Sequence, residues 1–119
     1  NGRKTPSYSN LLKKFRCNVM EKDIVKANEL YQQGRERGRR GFYKEAFDDF
    51  TQAINLNPDF AEAYIYRSHA RTLTGDKQGA VTDFQKAIDI YKARGRMDIA
   101  DMLLTPLQAL KNEIEWGDE

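Results

Sequence analysis

The residues that could support nucleophilic catalysis are few in this 119-residue chain. His69 is the single histidine, and its neighbour Ser68 would point elsewhere on a helix, because consecutive helical residues diverge by about 100 degrees. Cys17 is the single cysteine and lies far from His69 along the chain. A serine or cysteine nucleophile needs a base within hydrogen-bonding reach. We therefore interpret His69 as a binding contact and expect no nucleophile–base pair.

The carboxylates and glycines likewise match no catalytic, metal or cofactor motif. Asp48 and Asp49 are adjacent, so they diverge around a helix and cannot act as one acid–base pair. Asp98 and Asp101 lie three residues apart without a histidine or further carboxylate to complete a metal site. One cysteine excludes an internal disulfide and a cysteine-rich zinc site, and no glycine-rich phosphate loop is present. We expect a protein that is not an enzyme and binds no cofactor or metal.

Positive charge is concentrated in the first third of the chain. Residues 1–40 hold 11 Lys or Arg against 4 Asp or Glu, net +7, whereas residues 41–119 hold 9 against 14, net −5. The densest run is Arg35, Arg37, Arg39 and Arg40. Arginine pairs bidentately with carboxylates, so this run could bind an acidic peptide, or it could simply be a solvated helix end. Nucleic acid would need stacking on Tyr31, Phe42 and Tyr43, but no nucleic-acid motif accompanies them, which favours a protein partner.

These side chains have to be positioned by a repeated element, because the chain repeats itself at a spacing of 34 residues. The recurring residues are Gly41, Ala46, Phe50, Ala53 and Ile54, then Gly75, Ala80, Phe84, Ala87 and Ile88. A fixed period of about 34 residues is typical of helix-turn-helix solenoids, in which each unit buries its apolar face against a neighbour. The Phe, Ala and Ile of each set lie three and four residues apart and form one helical stripe. The glycines can end one helix and turn the chain, and Pro58 closes the first repeat.

These residues resemble the tetratricopeptide repeat family. The resemblance covers Ala27 to about Ala93, with Gly34, Gly41, Ala46, Phe50, Ala53 and Pro58 in one copy and Ser68, Gly75, Ala80, Phe84 and Ala87 in the other. Leu30 and Tyr64 depart from it, since the family often has Trp there, and Lys92 replaces the proline of the first copy. Residues 61–88 are especially similar to bacterial members, cyanobacterial ones among them. The resemblance implies an all-α, helix-turn-helix solenoid of two repeats with a capping helix at each end.

The pattern divides the chain into a basic lead-in, two repeats and a C-terminal capping region. Their predicted bounds are 1–22, 23–58, 59–94 and 95–119. The repeat helices are predicted over 24–39, 43–56, 60–73 and 77–93, with Asp23 as the first N-cap. In the C-terminal region, Pro106 predicts a kink or two shorter helices.

Apolar stripes at both ends of the chain predict helices that cap the solenoid. Residues 10–20, which Ser9 could cap, carry Leu11, Leu12, Phe15 and Val19 on one face. The alternative for this segment, with its basic neighbours Lys13, Lys14 and Arg16, is contact with an anionic membrane or a partner. The C-terminal stripe consists of Ile99, Met102, Leu103, Leu107, Leu110 and Ile114. It closes the solenoid or, alternatively, holds a second copy in a homodimer.

The family resemblance also implies where a ligand binds, because the first helix of each repeat lines a concave face. By register, that face carries Asn28, Tyr31, Arg35 and Arg39 from the first repeat and Glu62, Ile65, His69 and Leu73 from the second. Family members that clamp a peptide's terminal carboxylate have Lys and Asn where this chain has Tyr31 and Arg35, so binding of chaperone tails is disfavoured. The resemblance implies a scaffold or adaptor that binds a peptide or helix of another protein, with no small-molecule substrate. The alternative is a structural or assembly-factor subunit that docks through its terminal helices.

Composition bears on cellular location. Cys17 is the lone cysteine, which favours a reducing compartment, and no stretch of about 18 consecutive apolar residues could span a membrane. The chain starts at Asn1 rather than at a methionine, which suggests a processed protein or a fragment. We expect a cytoplasmic protein, unless this chain is part of a longer or membrane-anchored one.

Overall fold

The computed structural model describes the backbone of residues 8–116 and the side chains of residues 21–115. Five helices follow one another, α1 (Tyr8–Arg39), α2 (Tyr43–Leu56), α3 (Ala61–Leu73), α4 (Lys77–Ala93) and α5 (Met97–Trp116). No strand occurs within residues 8–116, so the all-α prediction is confirmed. None of the helices in this part of the chain is long and apolar enough to cross a membrane.

Each helix packs mainly against its neighbours in sequence, as in a stack of helical hairpins. Three of the four connections turn at a glycine with positive φ, at Gly41 (89°), Gly75 (95°) and Gly95 (75°). After each of these helices the residue beyond the glycine donates its backbone N–H five residues back, as in a Schellman motif. The α2–α3 connection instead contains Pro58, and there the Asn57 Oδ1 accepts from the Asp59 N–H at 3.3 Å. The α4–α5 connection therefore turns in the same way as the α1–α2 and α3–α4 connections, which lie inside the two predicted repeats.

The recurring apolar residues form the core. Phe50, Ala53 and Ile54 of α2 and their counterparts on α4 are all buried. Gly34 of α1 packs directly under Phe50, since a Cβ at position 34 would lie 2.7 Å from the Phe50 Cε1. Ser68, the residue 34 positions later, is 2% exposed. Small residues at these two positions let the helices of each hairpin approach closely.

Helix α1 differs from the prediction at its N-terminal end. The structure has one helix from Tyr8 to Arg39, so a separate helix over 10–20 and an N-cap at Asp23 are wrong. No glycine or proline lies between positions 8 and 33, and nothing local therefore ends the helix. Ser9 lies inside this helix rather than before its first residue. The side chains of the proposed apolar stripe over 10–20 lie outside the described ones.

The other helix bounds agree with the sequence, with two exceptions. Helices α2 and α4 have the predicted bounds, and α3 begins one residue later than predicted. Helix α5 is continuous, so its division into two shorter helices is wrong. Pro106 leaves the Met102 carbonyl without its helical donor, but both residues are exposed and water can replace that donor. The assignment of the helices to two repeats and two caps stays a prediction.

Candidate functional site

A pocket of about 530 Å³ opens between α1, α2 and α3. We call it the α1–α3 pocket, and its lining residues are Gln32, Gly34, Arg35, Glu36, Gly38, Arg39, Tyr43, Ala46, Phe50, Tyr66, His69, Ala70 and Leu73. Small and apolar side chains make up much of the wall, and charged and polar side chains accompany them. Pockets of this size and character are typical of sites that accept part of a ligand.

The pocket exists because α1 is thin where α2 and α3 approach it. Gly34 and Gly38 lie one turn apart on α1 and both line the pocket. The missing side chain of Gly34 admits the Phe50 ring, and that of Gly38 leaves open space. A Cβ on Gly38 would meet only the Ala46 Cβ, at 3.8 Å, which is an ordinary van der Waals distance. Position 38 therefore has room for a side chain, whereas position 34 is closed by the Phe50 ring.

Four of the eight predicted concave-face residues line this pocket, and four do not. Arg35, Arg39, His69 and Leu73 are in the lining. The other four are Asn28, Tyr31, Glu62 and Ile65. Asn28 is exposed on α1, and Ile65 is half-buried against the core. Whether any of the eight contacts a ligand stays a prediction.

Tyr31 and Glu62 make contacts within the protein. Tyr31 is only 8% exposed, so it offers a ligand little surface of its own. Glu62 accepts a hydrogen bond from the Tyr91 hydroxyl at 3.1 Å. Burial, followed by the nearby Glu62 carboxylate, raises the pKa of Tyr91 to about 12. This bond ties the beginning of α3 to the end of α4.

An aromatic cluster connects the core to the pocket. The Tyr31 ring centroid lies 4.8 Å from that of Phe60 and 5.5 Å from that of Tyr66, the latter with the ring planes 78° apart. Tyr66 continues the cluster to Phe50 at 5.9 Å and to His69 at 6.1 Å. Such tilted and edge-on pairs are favourable ring geometries. The cluster therefore holds Tyr66 firmly in the pocket wall.

Arg35 lies over this cluster. Its Cζ is 5.1 Å from the Tyr66 ring centroid and 5.6 Å from that of Tyr31. Both distances are within the range of a cation–π contact. Among the side chains of residues 21–115, none accepts a hydrogen bond or forms an ion pair with the Arg35 guanidinium. The charge of Arg35 is thus presented to the pocket without a carboxylate partner.

The neighbouring arginines at the end of α1 and just beyond it have carboxylate partners. Arg37 Nη1 lies 3.0 Å from each carboxylate oxygen of Asp49, which is 2% exposed. Glu36 pairs with both Arg39 and Arg40, in the latter case with the Arg40 Nε 3.3 Å from the Glu36 Oε1. The arginine run of the sequence therefore separates into one arginine that clamps a buried carboxylate, two arginines in surface ion pairs and one unpaired arginine.

A clamp of arginine on a buried aspartate, like that of Arg37 on Asp49, recurs in the second hairpin. Arg67 donates from Nε and Nη2 to the two oxygens of Asp83, at 2.8 and 2.7 Å. Arg71 Nε lies 3.3 Å from Asp83 Oδ2, although without the alignment of a hydrogen bond. Asp83 and Arg71 are 34 positions beyond Asp49 and Arg37. These two clamps join the helices within each hairpin and do not open into the pocket.

His69 adds no charge to the pocket. Part of the His69 side chain is exposed, yet burial of the rest lowers its pKa below the usual value. The imidazole is therefore neutral at pH 7, with one nitrogen that donates and one that accepts. Within residues 21–115 no group of three His, Cys, Asp or Glu side chains could hold a metal ion.

Sequence reasoning missed several pocket residues, above all Tyr66 and Gly38. Tyr66 lies three positions before His69 on α3, and that spacing places the two on one helical face. The pair Gly34 and Gly38, four apart inside a helix, was a second usable signal, because glycine in a helix interior is costly without a packing reason. Neither signal identifies the other wall of the pocket, which comes from α2.

The chain is similar in sequence to proteins named after the tetratricopeptide repeat. No family model matches the chain. The mouse Tetratricopeptide repeat protein 36 is 44% identical over 71 residues, which is 60% of this chain and 37% of that protein. The Nematostella vectensis homologue is 36% identical over 78 residues, 66% of this chain and 43% of that protein. The chain is related to the tetratricopeptide repeat proteins.

The chain spans less than half of the length of the animal relatives that it matches. Matches to five animal proteins named Tetratricopeptide repeat protein 36 span 30% to 43% of those proteins, that is, less than half of their length. An uncharacterized protein of the archaeon Methanocaldococcus jannaschii is 30% identical over 73 residues, 85% of its length. The animal relatives support a family related to the tetratricopeptide repeat proteins, and the bacterial type predicted from residues 61–88 is not supported.

Proposed function

We propose that this domain is a non-catalytic scaffold or adaptor that binds a peptide segment of a partner protein in the α1–α3 pocket and the adjoining concave face. The observation that carries the proposal is the pocket itself, with its small and apolar wall beside the unpaired Arg35. A volume of about 530 Å³ suits a few side chains of an extended or helical segment. The kinship with tetratricopeptide repeat proteins supports a helical repeat protein used in protein interaction.

The chemistry of the pocket supports binding better than catalysis. Tyr66 and Leu73 offer apolar contacts, and the neutral His69 can donate or accept one hydrogen bond. Apolar anchors of this kind supply most of the affinity of an interface, and charged groups at the edge determine orientation and selectivity.

A capture experiment with matched variants tests the proposal. The purified domain would be used as bait in cell lysate beside a pocket variant carrying Arg35→Ala, Arg39→Ala and His69→Ala, and proteins retained by each would be identified by mass spectrometry. We expect a partner to bind the wild type and to be lost from the pocket variant. Circular dichroism must show that the variant is folded. Equal retention by both proteins would contradict binding in the pocket.

A second candidate is a structural or assembly-factor subunit that docks through its terminal helices. The observation that favours it is the exposure of three large apolar side chains in the first half of α5, Met97 (49%), Met102 (76%) and Leu104 (45%). A variant carrying Met102→Ser and Leu104→Ser would serve as the second bait. Loss of the partner from this variant, with retention by the pocket variant, would favour docking through α5.

A further inference from the structure

We propose that the α1–α3 pocket selects an acidic side chain from an internal position of the partner segment, and that Arg35 is the residue that binds its carboxylate. This inference rests on the proposed function and adds the chemical class of the ligand. It predicts that the partner carries Asp or Glu beside an apolar residue.

The first support is that Arg35 differs from every other arginine among residues 21–115. Six of the others form ion pairs with carboxylates, and these are Arg37, Arg39, Arg40, Arg67, Arg71 and Arg96. Arg94 donates to the backbone carbonyl of Asp59. Arg35 alone in this part of the chain has neither kind of partner, although Glu36 is its neighbour in sequence. Its five N–H donors therefore stay open to a ligand.

The second support is that Arg35 is already positioned. Contact with the Tyr66 and Tyr31 rings, at 5.1 and 5.6 Å, restrains a side chain that would otherwise move freely in solvent. Tyr31 is buried and Tyr66 is packed against Phe50, so the surface on which the guanidinium rests is itself fixed. A restrained guanidinium loses less conformational entropy when it forms a bidentate pair with a carboxylate.

The third support is the charge of the pocket. Its charged lining residues are Arg35, Glu36 and Arg39, so the lining has one net positive charge. The carboxylate of Glu36 already pairs with Arg39 and Arg40, which leaves the charge of Arg35 uncompensated. One free guanidinium matches one carboxylate, whereas a phosphate dianion would require further free cations that this lining does not offer.

The position of Arg35 indicates an internal side chain rather than a chain terminus. On α1 the predicted concave face extends from Asn28 to Arg39, and Arg35 lies between these two ends. Apolar residues such as Ala70 and Leu73 line the same pocket as Arg35. A segment that occupies the face therefore passes Arg35 with residues on both sides, and the group that reaches Arg35 belongs to a side chain.

The test is a selection from random peptides of about 12 residues, which is enough to span a groove of this kind. The peptides are displayed with their C-termini fused to a carrier, which removes the terminal carboxylate. The baits are the wild type, Arg35→Gln, Arg40→Gln and Gly38→Leu. Arg40→Gln removes one positive charge outside the pocket lining, and Gly38→Leu places a bulky side chain in the pocket while the charge of Arg35 is kept. Thermal unfolding followed by circular dichroism checks the fold of each bait.

We expect Asp or Glu to be enriched at one position of the wild-type peptides and not in those selected by Arg35→Gln. For a synthetic peptide from the wild-type selection, Glu→Gln or Arg35→Gln should weaken binding about tenfold or more, the size of a charge-assisted hydrogen bond, whereas Arg40→Gln should leave it nearly unchanged.

Three results would overturn the inference. If Gly38→Leu weakens peptide binding but the selected peptides are not enriched in Asp or Glu, the role of Arg35 is refuted and the proposed function stays intact. An equal effect of Arg40→Gln and Arg35→Gln on binding of the synthetic peptide would also refute it, as would tighter binding of a synthetic peptide whose only carboxylate is its free C-terminus. Failure of the wild type to select any peptide, or selection insensitive to Gly38→Leu, would instead refute the proposed function.

Discussion

Addition of one methyl group at Gly34 or at Gly38 should change stability in opposite directions. At Gly34 the new Cβ would lie 2.7 Å from the Phe50 Cε1 and 2.9 Å from its Cδ1. Phe50 is 2% exposed, so its ring cannot move into solvent. Overpacking of this kind costs about 1–3 kcal/mol. Replacement of a helical glycine by alanine returns about 0.5–1 kcal/mol, so Gly34→Ala should be destabilising by up to about 2.5 kcal/mol.

Gly38→Ala provides the matched comparison in the same helix. Its Cβ would meet only the Ala46 Cβ at 3.8 Å, so the gain of about 0.5–1 kcal/mol from helix propensity is not opposed by a clash. The propensity gain largely cancels between the two variants. The difference between their free energies of unfolding should therefore approach the overpacking term, about 1–3 kcal/mol.

Urea unfolding followed by far-ultraviolet circular dichroism would measure this difference. The expected order of the midpoints is Gly38→Ala, then wild type, then Gly34→Ala, with unchanged slopes. Phe50→Leu should cost less in the Gly34→Ala background than in the wild type, because the two positions are in contact. A Gly34→Ala protein as stable as Gly38→Ala would show that α1 and α2 adjust freely, and the argument from close packing would be wrong.

Three further predictions concern the rest of the fold. Asp83→Asn should lower the free energy of unfolding by about 3–5 kcal/mol, and more than Asp49→Asn does in parallel urea titrations, because the arginine partners of Asp83 are the more buried ones. Folding raises the pKa of Tyr91 from 10.0 to about 12, so the stabilisation that needs its protonated hydroxyl is complete below pH 10.0 and is lost as the pH rises to about 12. The melting temperature should therefore fall more steeply over this pH window for the wild type than for Tyr91→Phe. Leu107→Ala, at a side chain 3% exposed, should cost about 2–5 kcal/mol in urea unfolding, whereas Met102→Ser, at one 76% exposed, should leave stability nearly unchanged.

The sequence by itself determined the all-α class and most helix bounds. The stripe around Phe50, Ala53 and Ile54 and its copy 34 residues later depend on spacings of three and four, and the glycines end the helices through their own backbone conformation. Both signals are local, so they can be read without knowledge of what packs where. The start of α1 was predicted wrongly because Asp23 can cap a helix but does not have to, and no helix-breaking residue precedes it.

Only the tertiary structure decided which side chains form the site. In the sequence Arg35, Arg37, Arg39 and Arg40 are four similar cations. Arg37 is taken by Asp49, twelve residues away, and Arg35 is left open over two tyrosines from different helices. The contacts with Asp49 and Tyr66 depend on how α1, α2 and α3 cross, which spacing within one helix does not specify. For the same reason Tyr31, predicted to face a ligand, lies in the core, and Tyr66 takes the place in the pocket wall.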